Sequence, residues 1–493
     1  MLDHSALIEG LPEPRMLFGD HWQGTGAESP FTMVDPSTGK AVVEVPMAGP
    51  AEVDQAVEAA AGAAAGWRAV PPHRRRDMLW RLGELVLRDR ERFGQIAAVE
   101  QGLPGGSQYA RFCAEWVKYY AGWAEKIHGS ISPSYPVDAL AYVLKEPFGV
   151  VAVITPFNES LAALGMKAAP ALASGNCIVI KPPEQTPVQT VLFAELCLEA
   201  GIPAGVVNVV TGGPAAGEAL VSHPKVGKVT FTGGLPTARA ILRSAAANLT
   251  PVVSELGGKS ANIVFADGDW KAGAALSALN ACVNLAGQGC MFPTRLLVEG
   301  SIHDQVVKEV VDLVTRARIG DPAERGIQMG PVISAESAER IHGIIGRARG
   351  ESRLVTGGDR LGGDLADGYF IEPTVFDDVD PGSELAQNEV FGPVLAISTF
   401  ESEHGAVDVA NGTSAGLAAY VFTDDLRRAH RMARELQAGS IGINGMSTVP
   451  PTLPFGGYKG SGSGREGGIE GLLEFLQTKS VFVPLSPPAS TGP

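Results

Sequence analysis

The chain is poor in cysteine and in basic residues, and each shortage excludes a class of protein. Its 493 residues include five cysteines, an odd number without a Cys-x-x-Cys pair, which excludes a disulfide framework and a Cys-x-x-Cys metal or redox motif. Lys plus Arg is 39 against 54 for Asp plus Glu, a net charge of −15, whereas phosphate contacts need clustered basic side chains. We therefore expect no nucleic-acid partner and a reducing, cytoplasmic compartment.

Long apolar runs and a secretory signal are also missing. The longest clean apolar runs, such as residues 149–154, are far shorter than the ~20 residues of a membrane span. Residues 1–22 contain no basic region followed by an apolar stretch. We therefore expect no membrane partner. The chain does have apolar mass, with 45% hydrophobic and 19% charged residues, a composition that can fill more than one folded core.

From residue 150 onward, short apolar runs alternate with helical stretches, which predicts an α/β fold. The first predicted strands lack a polar alternation, as is typical of parallel strands that helices cover on both faces. They are residues 150–154, 177–181, 206–210 and 229–232, and a second α/β run begins near Leu256. Before them, we predict a helix over residues 111–127 and an extended arm over residues 130–145. Residues 452–468 are Gly-rich and predict a long ordered loop.

One of the five cysteines is a candidate nucleophile. Cys290 ends the segment Gly287-Gln288-Gly289-Cys290, whose glycines leave space around the thiol for an incoming carbonyl group. The alternative is that Cys290 is a small buried hydrophobic residue, as single cysteines often are. We interpret the other four as structural, because they lie in apolar or helical segments: Cys113, Cys177, Cys197 and Cys282.

Five polar or glycine positions at predicted strand ends are candidates for binding or catalysis. Glu255 precedes two glycines and is either a general base that reaches a cleft or the cap of a surface turn. Asn158 is either an oxyanion donor or a plain turn residue. Lys181 and Glu184 have the spacing of a ribose site, and Gly233 lets backbone approach a pyrophosphate. Each signal alone is weak, because such turns are common in α/β proteins.

Seven motifs in one order make the sequence resemble the aldehyde dehydrogenase superfamily, of the NAD(P)-dependent, hydrolytic type. They are Pro156-Phe-Asn158, Lys181-Pro-x-Glu184, Phe231-Thr-Gly233, Glu255-Leu-Gly-Gly-Lys259, Gly287-Gln-x-Cys290, Glu389-Val-Phe-Gly-Pro393 and Pro454-Phe-Gly-Gly-Tyr-Lys459. The resemblance runs almost from end to end. It implies the oxidation of a small aldehyde to a carboxylate. It also implies NAD as cofactor, with NADP as the other candidate, because Glu184 would repel a 2′-phosphate.

The resemblance also implies a role for each site residue. Cys290 attacks the aldehyde carbon to give a thiohemiacetal and then a thioester, which Glu255 hydrolyses by activating water. Asn158 and the Cys290 N–H hold the oxyanion, and Glu466 matches an acid with a proposed proton-relay role. No metal is expected. The residues expected to contact the cofactor are Ile154, Pro156, Phe157, Lys181, Glu184, Gly213, Gly217, Gly233, Leu256, Glu389 and Phe391.

The family architecture implies a Rossmann-like cofactor domain, an α/β catalytic domain and a small β oligomerisation arm. We assign residues 1–129 and 146–255 to the dinucleotide-binding domain and residues 256–468 to the catalytic domain. Residues 130–145 and 469–493 form the expected arm, with a frayed end after residue 485. Because extended edge segments pair with another subunit's sheet, we expect a homodimer or homotetramer.

Three alternatives stay open at this stage. A CoA-acylating enzyme would pass the thioester to CoA, but such members of the superfamily usually lack the base that Glu255 matches. A catalytically silent structural relative would keep the fold alone. Glu159, beside Asn158, is an unusual polar residue near the aldehyde entrance, where it either favours a cationic or hydroxylated substrate or points to solvent.

Overall fold

The computed structural model describes residues 2–135, 138–446 and 448–485. Positions 136 and 137 of the expected arm and its frayed end at 486–493 lie outside the described residues. Strands and helices alternate along most of the chain, so the predicted α/β fold class is confirmed. Among the described residues, no helix combines the length and the apolar character needed to cross a membrane.

The helices vary from one turn to about five turns. Their bounds are α1 Ser5–Glu9, α2 Pro50–Ala69, α3 Pro72–Arg88, α4 Arg90–Gln101, α5 Ser107–Ala121, α6 Ser160–Ala173, α7 Val188–Glu199, α8 Pro214–Val221, α9 Leu235–Ala245, α10 Trp270–Cys282, α11 His303–Thr315, α12 Ala335–Ala348, α13 Glu384–Gln387, α14 Glu403–Asn411, α15 Leu426–Glu435 and α16 Gly468–Leu473. Short 3-10 helices cover Ala246–Asn248, Asn284–Gly287, Gly300–Ile302, Gly363–Leu365 and Lys459–Ser461.

The strands are mostly short. Their bounds are β1 Met16–Phe18, β2 His21–Gln23, β3 Glu28–Asp35, β4 Lys40–Met47, β5 Ser130–Ser132, β6 Ala139–Pro147, β7 Val150–Ile154, β8 Cys177–Lys181, β9 Val207–Val209, β10 Val226–Gly233, β11 Val252–Leu256, β12 Ala261–Val264, β13 Arg295–Glu299, β14 Arg353–Thr356, β15 Thr374–Asp377, β16 Val394–Phe400, β17 Ala418–Phe422, β18 Ser440–Ile443, β19 Gly462–Ser463 and β20 Leu476–Pro484.

The first sheet aligns the ends of its parallel strands at one edge. Its order is β19-β11-β10-β7-β8-β9-β1-β2, and the strands from β11 to β9 run parallel. Every residue of β7 and β8 is buried, as predicted for strands covered on both faces. Ile154 pairs with Lys181 and Phe231, and Gly233 pairs with Leu256. This carboxyl edge is where open α/β sheets bind ligands.

A second, mainly parallel sheet follows directly after the first. Its order is β14-β15-β16-β13-β12-β17-β18, in which only the β14–β15 pair is antiparallel among the described strands. The two sheets have separate apolar cores. Because β11 ends at Leu256 and β12 begins at Ala261, four residues carry the chain from one sheet to the next. The candidate base Glu255 therefore stands where the two units meet in sequence.

The expected arm forms a third, antiparallel sheet of order β20-β6-β5. Strand β20 pairs with β6 along its whole length, from Leu476 opposite Pro147 to Pro484 opposite Ala139. This pairing confirms that both segments are extended. The sheet exposes large apolar side chains, among them Ile131, Leu144 and Phe482. The domain bounds and the role of the arm stay predictions.

Two segments differ from their predictions for reasons that involve glycine. Helix α5 covers residues 107–121 and not 111–127, because Gly105, with φ +66°, turns the chain into an earlier start and Gly122 follows its end. Residues 452–468 are not one loop, because Gly462 and Ser463 form strand β19 on β11. A Cβ atom on Gly462 would lie 2.0 Å from the Ser254 carbonyl oxygen, so only glycine allows this pairing.

Candidate active site

One cavity of about 1880 Å³ lies at the carboxyl edge of the first sheet. Residues that follow β7, β8, β10 and β11 line it together with residues of the second α/β unit. All of the site residues predicted from the sequence are on its wall, both the catalytic set and the cofactor set. The thiol of Cys290 and the carboxylate of Glu255 therefore face a common space and not opposite sides of the molecule.

A strained turn positions Cys290 after helix α10. Leu285, Ala286 and Gly287 have φ values of 51°, 49° and 73°, in the left-handed region that non-glycine residues rarely adopt. A Cβ atom on Gly287 would lie 2.2 Å from the Gly392 carbonyl oxygen, so this glycine is required by close backbone packing. Cys290 is partly exposed, whereas the other four cysteines are buried, and their structural role stays a prediction.

The amide of Asn158 is fixed against the cysteine loop. Its Nδ2 donates a hydrogen bond of 2.8 Å to the carbonyl oxygen of Gln288, two residues before Cys290. The Gln288 side chain is itself held, since its Nε2 donates to Leu285 and its Oε1 accepts from the Ile333 N–H. The amide nitrogen of Asn158 has a second N–H, which is the group that an oxyanion would use.

Glu255 is a buried carboxylate without a hydrogen-bonding partner among the described residues. It lies on β11, next to Thr232 of β10 on one side and Gly462 of β19 on the other. Burial is the largest cause that raises the pKa of Glu255 well above its usual value, and the charge of Glu466 is the second. A carboxylate with a raised pKa is a better proton acceptor at neutral pH than an exposed one.

Four of the expected cofactor residues lie close together on the cavity wall, two at or after the end of β8 and two at the start of α8. Lys181 Nζ lies 3.8 Å from Glu184 Oε1. Gly213 and Gly217 leave space beside this pair. A Cβ atom on Gly213 would lie 3.7 Å from Glu184, and one on Gly217 would lie 3.7 Å from Lys181. Helix α9 begins at Leu235 without a side-chain cap, so its free N–H groups suit a phosphate. These features fit an adenosine ribose and a pyrophosphate.

A second group of expected cofactor residues lines the same cavity. Glu389 Oε1 accepts a hydrogen bond of 3.0 Å from the Gly258 N–H, and burial raises the pKa of Glu389 to about 7. The rings of Phe157 and Phe391 meet edge to face, with centroids 5.7 Å apart. Phe391 has φ 50°, a strained conformation that is often found at ligand sites. Ile154, Pro156, Gly233 and Leu256 complete the expected set on the same wall.

Comparisons with known proteins agree with the resemblance in the sequence. Residues 22–481 match the model of the aldehyde dehydrogenase family. The chain belongs to the aldehyde dehydrogenase family. Among its relatives is an Acinetobacter baylyi (Z)-2-((N-methylformamido)methylene)-5-hydroxybutyrolactone dehydrogenase, 40% identical over 92% of this chain and 94% of that one. A mouse relative named aldehyde dehydrogenase, cytosolic 1 is 37% identical over 96% of this chain and 95% of its own.

A solved structure of the family matches almost the entire fold. The betaine aldehyde dehydrogenase of Staphylococcus aureus, crystallised in complex with NAD+, superposes with a TM-score of 0.96 at 33% identity. The match covers 99% of each chain. The predicted family and its α/β architecture are therefore confirmed.

In this family member, the resting thiol of Cys290 is surrounded by acidic groups. Burial is the largest cause that raises its pKa well above the usual value, followed by the charges of Glu159, Glu389, Glu255 and Glu466. A raised pKa favours the protonated thiol, whereas the thiolate is the nucleophilic form. Burial also raises the pKa values of three of these carboxylates, those of Glu159, Glu255 and Glu389.

One charged residue beside the site was not predicted from the sequence. Lys167 is fully buried on α6, and its Nζ lies 2.5 Å from Glu466 Oε1 and 3.1 Å from Thr230 Oγ1. The positive charge of Lys167 lowers the pKa of Glu255, although burial and Glu466 outweigh it. The available signal was a single lysine in an otherwise apolar helix, because buried lysines are almost always paired.

Proposed function

We propose that the chain oxidises an aldehyde to a carboxylate with NAD(P), through covalent intermediates on Cys290. The observation that carries this proposal is the single cavity shared by Cys290, Glu255, Asn158 and the ribose-type pair Lys181 and Glu184. A nucleophile, a base, an oxyanion donor and a nucleotide edge are what this chemistry requires in one place. Family membership supports the same conclusion.

The residues divide the reaction into two easier steps. After a carboxylate has taken its proton, Cys290 Sγ bonds to the aldehyde carbon, and the oxyanion accepts hydrogen bonds from Asn158 and the Cys290 N–H. A bound nicotinamide supplies the acceptor for the hydride, which leaves a thioester on Cys290. Glu255 then removes a proton from water, whose oxygen displaces the thiolate and releases the carboxylate. Each turnover consumes one water and one oxidised cofactor.

Glu184 supports NAD as the preferred cofactor. Its carboxylate stands beside Lys181, at the position proposed for the adenosine ribose. A 2′-phosphate at that position would meet a like charge. The Staphylococcus aureus relative was crystallised with NAD+, in agreement with this preference.

We propose that the enzyme is a homo-oligomer and that it is located in the cytoplasm. The sheet β20-β6-β5 exposes Ile131 and Phe482 to 78% and 56%, and a second copy of this chain would cover such an edge sheet. Sedimentation is expected to give a dimer or tetramer, and only monomer at micromolar concentration would contradict it. The cysteine content and the cytosolic mouse relative support the compartment.

An aldehyde panel that follows NADH formation tests the proposed reaction. The wild type is expected to form carboxylate whether or not CoA is present, because Glu255 delivers water; a product that requires CoA would favour the acylating alternative. Cys290→Ala is expected to lose turnover, while Cys197→Ala, a buried position on α7, serves as the matched control. Full activity of Cys290→Ala would refute the covalent route, and no NADH with any aldehyde would favour a silent relative.

A further inference from the structure

Glu159 has a carboxylate that the fold does not use. It is the residue before helix α6, yet its side chain makes no capping hydrogen bond, and glutamate is not a preferred N-cap. Its side chain also has no hydrogen bond or ion pair with any other described residue. The carboxylate instead lines the cavity directly after Asn158. Its side chain is half-buried there, so whether it contacts a substrate or solvent stays a prediction.

The carboxylate lies near the reacting thiol. Of all the charged groups that raise the pKa of Cys290, Glu159 has the largest effect, ahead of Glu389 and Glu255. Glu159 also raises the pKa of Tyr109, on helix α5, which lines the same cavity. Glu159, Cys290 and Tyr109 all line the same cavity. We take this part of the cavity as the path for the tail of a bound aldehyde.

The walls around this path are aromatic and apolar. Helix α5 contributes Tyr109 and Phe112 from one face, and Met166 and Phe292 add further apolar surface. Burial raises the pKa of Glu159 to about 7, and no positive group among the described residues offsets this rise. A half-buried carboxylate without a counter-ion is costly to ionise. A positively charged group bound beside Glu159 would offset this cost.

Resting on the proposed function, we propose that Glu159 binds a protonated amine in the tail of the aldehyde, which makes amino-aldehydes the preferred substrate class. A charged N–H donor forms a stronger hydrogen bond with a carboxylate than a hydroxyl does. Aromatic faces such as those of Tyr109 and Phe112 attract cations and not hydroxyl groups. The dipole of α6, whose positive end lies at Glu159, also favours the ionised carboxylate that would hold the amine.

Three aldehydes of equal length test this assignment. One carries a terminal dimethylamino group, the second its uncharged isopropyl isostere and the third a terminal hydroxyl. For each, kcat/KM is measured with the wild type, Glu159→Gln and Glu159→Ala. Glu351→Gln, an exposed position after α12, is the matched control. The ratio of the amino to the isopropyl substrate is expected to exceed one in the wild type and to fall at least about tenfold in both Glu159 variants.

The outcomes separate this assignment from the proposed reaction. If all three aldehydes are oxidised and the ratio does not change in the Glu159 variants, the role of Glu159 is refuted while the dehydrogenase chemistry stands. If the hydroxyl substrate alone loses activity, the cationic preference is refuted as well. If no aldehyde is oxidised although the isopropyl aldehyde protects Cys290 from alkylation, the proposed reaction fails. A fall in the amino ratio with unchanged oxidation of the isopropyl aldehyde supports Glu159.

Discussion

The His4 side chain connects the N-terminal segment to Asp35 and to Asp321, which are far apart in the sequence. Its Nδ1 lies 2.7 Å from Asp35 Oδ2, and its Nε2 lies 2.8 Å from Asp321 Oδ1. The hydrogen bond to Asp35 is the largest cause that raises the pKa of His4 from 6.5 to about 9, although burial opposes it. The His4 side chain is only 2% exposed, so solvent screens these contacts weakly.

The magnitude follows from linkage between protonation and folding. At about 1.4 kcal/mol for each unit of pKa, a rise from 6.5 to about 9 corresponds to at most about 3 kcal/mol of stability. Because the pKa is raised in the folded state, this stabilisation is complete below about pH 6.5 and is lost as the pH rises through about 9. For a chain of this length, about 3 kcal/mol corresponds to roughly 3 °C in the unfolding midpoint.

The assay compares unfolding midpoints of the wild type and His4→Gln across this pH range. The wild type is expected to unfold at a higher temperature near neutral pH, and the two curves are expected to converge above about pH 9. His404→Gln, at an exposed helix position with one weak i,i+4 contact, is the matched control and is expected to have no effect. A difference that is constant with pH, or that grows toward alkaline pH, would refute the reasoning.

Three further predictions concern the cofactor, the base and the core. Removing the charge of Glu184 (Glu184→Ala) is expected to raise the ratio of kcat/KM for NADP over NAD at least about tenfold, and an unchanged ratio would place the ribose elsewhere. Glu466→Gln removes a charge that raises the pKa of Glu255, so the acidic limb of the kcat profile is expected to move to lower pH; a shift to higher pH would contradict this. Phe193→Ala, at a fully buried position on α7, is expected to cost about 3–5 kcal/mol in chemical unfolding, and a loss below about 1 kcal/mol would contradict its core position.

Local patterns predicted the central sheet, because buried parallel strands such as β7 and β8 lack polar alternation. The same patterns missed helix α4, in which apolar and polar residues from Ile96 to Gln101 are all buried, so that no single apolar stripe stands out. The positive φ angles of Leu285 and Ala286 were not predicted either, because in a sequence glycine is the main indicator of a positive φ. These elements depend on tertiary packing, which composition and spacing do not encode.

The candidate site, like the fold, was predicted only in part from the sequence. Cys290 and Glu255 were predicted because the family resemblance attaches roles to their motifs. The pair of Lys167 and Glu466 is separated by 299 positions in the chain, so no local pattern connects the two residues. Likewise, the sequence left two interpretations of Glu159, and the structure adds that this residue lines the cavity.

The most direct test of the central claim is the mass of the Cys290 peptide in a Glu255→Gln variant mixed with NAD and an aldehyde. Without the base, attack and hydride transfer are expected to leave a thioester that water removes slowly. We predict one equivalent of NADH in a burst and a peptide heavier by the acyl group. An unmodified Cys290 during the reaction, or turnover at the wild-type rate, would contradict the claim.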